Sequence, residues 1–229
     1  MTSVYCFSGS GHSSAVADFF SEKLNCETRL ISKALTDQAL RSETAVVVFP
    51  VYCQNIPQSV KKFLKKLDAE YIVFIATYGK VSYGNVLYEA KKRVRGKVIA
   101  GAYVPMGHTF LNGDFNFDRE ALLPILERIR HPEVAKMPKS PKNIFADFCP
   151  AWRSRAGVKI IRTSACVSCN ICGQNCPTGA IHRGNIHAKC IRCFRCVSHC
   201  PQGALVFKNS RILKKYLASH HREEMKVYL

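Results

Sequence analysis

Acidic residues are scarce in this chain: 34 Lys and Arg stand against 16 Asp and Glu, a formal charge of +18, and no Asp or Glu occurs between Phe148 and Arg222. Long apolar runs are missing too. The longest, Ala45 to Tyr52 and Tyr71 to Tyr78, are strand-length and far short of the roughly 20 residues of a membrane-crossing helix, so no membrane span is expected. The N-terminus, Met1-Thr2-Ser3-Val4-Tyr5-Cys6, lacks the basic segment, apolar stretch and small-residue cleavage site of a secretory leader, and a cytoplasmic location is expected. Without a leader, cysteine takes on another meaning. Of the 12 cysteines, those from Cys166 to Cys200 stand at metal-ligand spacings, which favours metal ligation over a disulfide framework.

The remaining composition suits a two-domain protein, with one α/β unit of roughly 150 residues and a smaller one. From Thr2 to about Phe110, short β-branched or aromatic runs alternate with amphipathic stretches. Strands are predicted near 3–7, 28–31, 45–49, 71–76 and 97–104, and helices near 13–24, 58–67, 85–94 and 118–129, the last kinked or restarted at Pro124. This rhythm predicts a doubly wound, five-stranded parallel sheet. Pro132, Pro138 and Pro141, interleaved with Lys136, Lys139 and Lys142, read as an extended basic connector. The predicted divisions are 1–131, a linker over 132–155, a small α+β unit over 156–208 and a helical tail over 209–229. Trp152 is expected to pack between the domains.

The smaller unit contains an internal repeat. Cys166-Val-Ser-Cys169-Asn-Ile-Cys172-Gly-Gln-Asn-Cys176-Pro recurs as Cys190-Ile-Arg-Cys193-Phe-Arg-Cys196-Val-Ser-His-Cys200-Pro. Each half reads C-x2-C-x2-C-x3-C-P, the spacing of bacterial ferredoxins, in which three thiolates hold one cubane and the fourth serves the other. Tetrahedral zinc also uses paired C-x2-C, but the third cysteine and the proline after the fourth argue against it. The stretch from about Lys159 to Lys208 resembles a 2[4Fe-4S] ferredoxin. The resemblance implies two 4Fe-4S clusters, one on Cys166, Cys169, Cys172 and Cys200, the other on Cys190, Cys193, Cys196 and Cys176. Ferredoxins of this class are typically acidic and this stretch is basic, which suits an acidic redox partner. Nucleic acid is disfavoured, because no nucleic-acid-binding motif accompanies the charge.

In the larger unit the first strand runs into Ser8-Gly9-Ser10-Gly11-His12-Ser13, a turn whose backbone N–H groups suit a phosphate at a helix N-terminus. It lacks the Gly-Lys-Ser/Thr of a P-loop, and no acidic residue ends the second strand to hold a ribose. The turn resembles the phosphate loop of flavodoxins, which implies FMN. The family's two ring-enclosing loops would then correspond to the segment with Tyr52, Cys53, Gln54 and Asn55 and the segment with Tyr78, Gly79, Tyr83 and Gly84, the tyrosines stacking on the ring. As a whole the chain resembles fusions, from anaerobes and archaea, of a flavodoxin-like domain with a 2[4Fe-4S] ferredoxin.

The resemblance implies intracellular electron transfer through two clusters coupled to FMN. An alternative is a ferredoxin-fed FMN reductase of a quinone, nitro compound or enone, with Tyr83 or His108 as proton donor. An iron-sulfur redox sensor touching nucleic acid ranks third.

Overall fold

The computed structural model describes all residues except 37–39, 112 and 149, and except the side chains of Pro150, Ala151 and Arg153. The central sheet is built from β1 (Thr2–Cys6), β2 (Thr28–Leu30), β3 (Arg41–Pro50), β4 (Asp68–Tyr78) and β5 (Lys97–Pro105), with α1 (His12–Leu24), α2 (Ile31–Ala34), α3 (Gln58–Lys66), α4 (Val86–Lys91) and α5 (Leu123–Arg130) between and after them. These five strands are parallel in the order 2-1-3-4-5.

Alternation along the strands explains the layering. Tyr5, Val47, Phe49, Phe74 and Ala76 face α3 and α4 in one core, while Val4, Cys6, Val46, Val48, Val73 and Ile75 face α1 and α5 in the other. Both faces are covered, so the strands read as nearly continuous apolar runs. Chain order reverses between β1 and β3, and in doubly wound sheets the crevice at that point, beyond the C-terminal strand ends, takes ligands.

The smaller unit follows as α6 (Pro150–Gly157), β6 (Val158–Arg162), α7 (Ile171–Gln174), β7 (Ile181–His182), β8 (Asn185–Ile186), α8 (Arg195–Ser198) and β9 (Leu205–Asn209). β6 and β9 pair antiparallel, as do β7 and β8. The tail carries α9 (Arg211–Ser219) and β10 (Lys226–Tyr228).

Several sequence expectations change. The sheet has six strands, because β10 pairs antiparallel with β5 through Val227 and Ala102; the tail is therefore helix and then strand. The helix expected over 118–129 is a 3-10 turn, Glu120–Leu122, followed by α5 with Pro124 in its first turn, where a missing N–H costs nothing. The basic connector is extended but not free. The Ala135 N–H donates to the Val98 carbonyl at 2.9 Å, Ala135 and Met137 are buried in the core, and Lys142 pairs with Glu89 and Asp147 at 2.7 Å each. Trp152 does not pack between the units: it is 62% exposed.

Tyr103 anchors the β4–β5 side of the core. It is buried, stacks on Tyr83 at 3.9 Å and accepts a hydrogen bond from the Leu87 N–H at 3.2 Å. Tyr103→Ala is expected to cost about 3–5 kcal/mol and Tyr103→Phe about 1 kcal/mol, the lost acceptor alone; urea denaturation of the two variants checks the ranking.

Candidate functional site

The cysteine repeat is also a backbone repeat. Ser168 and Arg192 both have φ of 57°, Asn170 and Phe194 have 63° and 64°, and Gly179 and Gly203 have 59° and 56°. Four of these six are not glycine, and left-handed backbone costs such residues roughly 1–2 kcal/mol each. Turns of this kind can aim successive N–H groups at one point, a geometry that suits an anionic centre. The last cysteine of each half receives such a donor: Ala180 N–H to Cys176 Sγ at 3.2 Å, and Ala204 N–H to Cys200 Sγ at 3.3 Å.

Cysteines of the two halves meet. Cys166, Cys169, Cys172 and Cys200 line one hollow, with Gly184 and Pro201 at its wall. Burial pushes the Cys196 thiol up to about 12, and the charges of Cys193, Cys190 and Cys176 act on it more than that of Cys172. Burial likewise takes Cys193 up to about 11, with Cys176 and Cys190 adding to the rise. The Cys176 charge is thus felt in the second trio. These are properties of bare thiols; ligation requires thiolates, and a bound metal displaces the protons. Among the described residues no three Cys, His, Asp or Glu side chains gather as they would around one ion. Four cysteines around one hollow, the last of them accepting a backbone N–H, suit a 4Fe-4S cluster.

The two sets differ in surroundings. Around the first, Cys169 is exposed and Val167 is 65% exposed. The second lies against the larger unit. A Cβ on Gly9 would stand 2.5 Å from the Cys193 carbonyl oxygen, 2.6 Å from its Cβ and 2.8 Å from the Tyr52 hydroxyl, so only glycine fits there. Arg195 Nη1 donates to the Ser8 carbonyl at 3.0 Å. Phe110, from the loop after β5, stacks obliquely on Phe194 at 5.1 Å, and its carbonyl accepts from Asn209 Nδ2 at 2.8 Å.

All the loops named from sequence meet at the C-terminal edge of the sheet, but their side chains are used differently. Gly11 adopts φ of 103° as the N-cap of α1, which has no side-chain cap. Ser8 Oγ accepts from the Gly11 N–H at 3.2 Å, Ser13 Oγ lies 2.8 Å from Thr77 Oγ1, and Ser10 Oγ lies 2.8 Å from His12 Nδ1 and 3.0 Å from Thr109 Oγ1. Phe115 roofs this turn, stacked on His12 at 4.3 Å. Tyr52 and Asn55 close a tight turn by reciprocal backbone bonds, with Cys53 and Gln54 at φ of 49° and 63°. Cys53 Sγ lies 3.2 Å from Ser154 Oγ, and Gln54 fills the space above Gly84.

The tyrosines are not rim residues. Tyr78 and Tyr83 are each 2% exposed; Tyr78 donates to the Glu224 carbonyl at 2.6 Å, and Arg222 lies over the Tyr83 ring. The stretch before β10 thus straps this loop. Burial, then the Cys193 charge, holds the Tyr52 phenol well above its ordinary range. Gly79 is occupied by the His108 ring, whose Nδ1 accepts from the Phe110 N–H at 3.2 Å. The α1 turn offers the phosphate end of FMN an uncapped helix of 13 residues with a glycine N-cap, but its serine hydroxyls are bonded within the protein and Phe115 lies over it. Tyr78 and Tyr83 do not fit a stacking role.

Sequence reasoning missed Phe110, Thr109, Phe115 and Arg195 as site residues. A charged residue inside the cysteine loop was the one readable signal among them. A larger groove of about 840 Å³, lined by Lys23, Leu126, Arg130 and Leu229, lies on the α1 and α5 side and contains none of these residues.

Two expectations follow for this site. Cys200→Ala combined with Cys169→Ala should leave about four irons per chain, as either single change does, because both strike one set. Cys200→Ala with Cys193→Ala should leave almost none; iron analysis after reconstitution separates the two, and the opposite pattern would mean that the sets do not cross. Burial also pushes His108 down to about 4. Folded and unfolded chains then bind protons equally above about pH 6.5, and only the unfolded chain gains one below it, so stability falls from pH 6.5 toward 4. In His108→Gln that part of the acid sensitivity, roughly 1–3 kcal/mol, should vanish from urea midpoints measured at pH 7 and 4.5.

Residues 159–182 match the family model of the 4Fe-4S binding domain. No curated protein matches the chain. Among solved structures, the Trp repressor binding protein from Bacillus subtilis aligns with 10% identity over 58% of this chain and 97% of that one, at a TM-score of 0.36. With the repeated cysteines, the family match supports 4Fe-4S binding by the C-terminal unit.

Proposed function

We propose that the chain is an electron-transfer protein whose two 4Fe-4S clusters, held by Cys166, Cys169, Cys172 and Cys200 and by Cys190, Cys193, Cys196 and Cys176, work together with an FMN whose phosphate lies in the turn from Ser8 to Ser13. The observation that carries this reading is the contact of Cys193 with Gly9, which sets one cysteine set against the turn of the larger unit. FMN, when bound, supplies a site that takes up one or two electrons beside one-electron clusters.

The chain's own residues have separable tasks. The uncapped start of α1 offers backbone N–H donors to phosphate. Gly9 allows the close approach, and Phe110 and Arg195 hold the units together. The basic stretch from Phe148 to Arg222, without Asp or Glu, favours an acidic redox protein as partner, and among the described residues no helix is long and apolar enough to cross a membrane. A carrier is favoured over a reductase because Tyr83, one of the two named proton donors, is buried.

The test is a fluorescence titration of FMN into the iron-loaded chain. About one FMN per chain should bind, and Gly11→Asp should weaken binding at least tenfold while iron content stays unchanged, since a carboxylate then occupies the turn and φ of 103° suits only glycine well. Equal affinity in both would remove FMN from this turn.

A further inference from the structure

The halves of the cysteine repeat differ most in charge. Where the first half has Ser168 and Ile171, the second has Arg192 and Arg195. Both guanidinium groups turn inward. Arg192 Nε donates to the Val158 carbonyl at 2.9 Å and Arg195 Nη1 to the Ser8 carbonyl at 3.0 Å, while Arg192 Nη1 and Arg195 Nε are buried with no hydrogen-bond partner among the described residues. A buried cationic N–H without an acceptor is costly, and no carboxylate exists between Phe148 and Arg222 to accept it. Arg195 lies beside the second set: its Nη1 meets the Ser8 carbonyl, and the next residue, Gly9, is the one on which Cys193 rests.

The cations of the first set are of another kind. Arg162 and Arg183 are exposed. Arg162 reaches Ser168 Oγ at 2.9 Å and acts on Cys166 from the solvent side, where water and salt screen it.

We propose that Arg192 and Arg195 are positioning residues that make the cluster on Cys190, Cys193, Cys196 and Cys176 the higher-potential member of the pair. The proposal rests on the ligand sets given above. Reduction adds one negative charge to a cluster, and an arginine keeps its positive charge at any pH the protein meets. A fixed cation in a poorly solvated place therefore stabilises the reduced form more than a screened one does. Enclosure alone acts the other way, since it strips solvent from the more negative state, so the two unpaired guanidinium N–H groups decide the sign. A one-electron donor protein that loses one electron to the domain would leave it on the inner set, against Gly9 and Tyr52, with the outer set oxidised again and no proton required.

The test is a potentiometric EPR titration of the iron-loaded full chain. The wild type should show two unequal midpoints. Arg195→Gln and Arg192→Gln should each lower only the upper one, with at least about a tenfold fall in the ratio of reduced to oxidised cluster at fixed potential, about 59 mV for one electron. Arg195→Lys should restore most of the loss, and the exposed control Arg162→Gln should leave the upper midpoint in place. About eight irons with coincident midpoints, or with the lower midpoint moved instead, would overturn the proposal while leaving the two-cluster reading intact. A chain that yields no cubane signal would overturn both. If Arg195→Gln fails to assemble, Arg192→Gln and the wild-type midpoints still decide.

Discussion

The approach of Cys193 to Gly9 is the contact on which the arrangement turns. A backbone carbonyl and a Cβ occupy the space that any side chain at position 9 would need, so a residue with no Cβ lets the cysteine loop rest on the turn that caps α1. Around this point the other contacts fall into place: Arg195 reaches the Ser8 carbonyl, Phe110 enters the core of the small unit beside Phe194 and Phe207, and Ile191 lies against the core of the large one. Two units that might have been joined only by a linker share a packed junction.

Charge gives the junction its character. The small unit carries no carboxylate of its own, so its arginines meet only neutral acceptors, backbone carbonyls for Arg192 and Arg195 and side-chain oxygens for Arg162. Where they are exposed, solvent absorbs the imbalance and the field serves to attract a partner. Where they are buried, the imbalance remains local, and it is largest at the set nearest the ligand crevice.

Much of this was legible in the sequence, and the failures have physical causes. The strands of the main sheet declare themselves because both faces are buried, and the cysteine spacing is specific because four thiolates must reach one cage. β10 escaped notice because Lys226–Tyr228 is too short to show a period and its partner is remote in sequence. Tyr78 was expected to stack on a flavin ring, yet it continues the face of Ile72, Phe74 and Ala76, so alternation carried one step further places it inside. The connector's prolines concealed the alternation of Ala135 and Met137, both buried. The roofing of the α1 turn by Phe115 depends on loop geometry set by tertiary contacts, and no local pattern reports it.

The central claim is that the eight repeated cysteines hold two cubanes within a single domain. The most direct measurement is spin quantitation by EPR of the dithionite-reduced full chain beside its iron and acid-labile sulfide content. The account predicts about two unpaired spins per chain with broadening from their mutual interaction, and about eight irons and eight sulfides. A diamagnetic chain loaded with zinc, or a single isolated spin with about four irons, would contradict it.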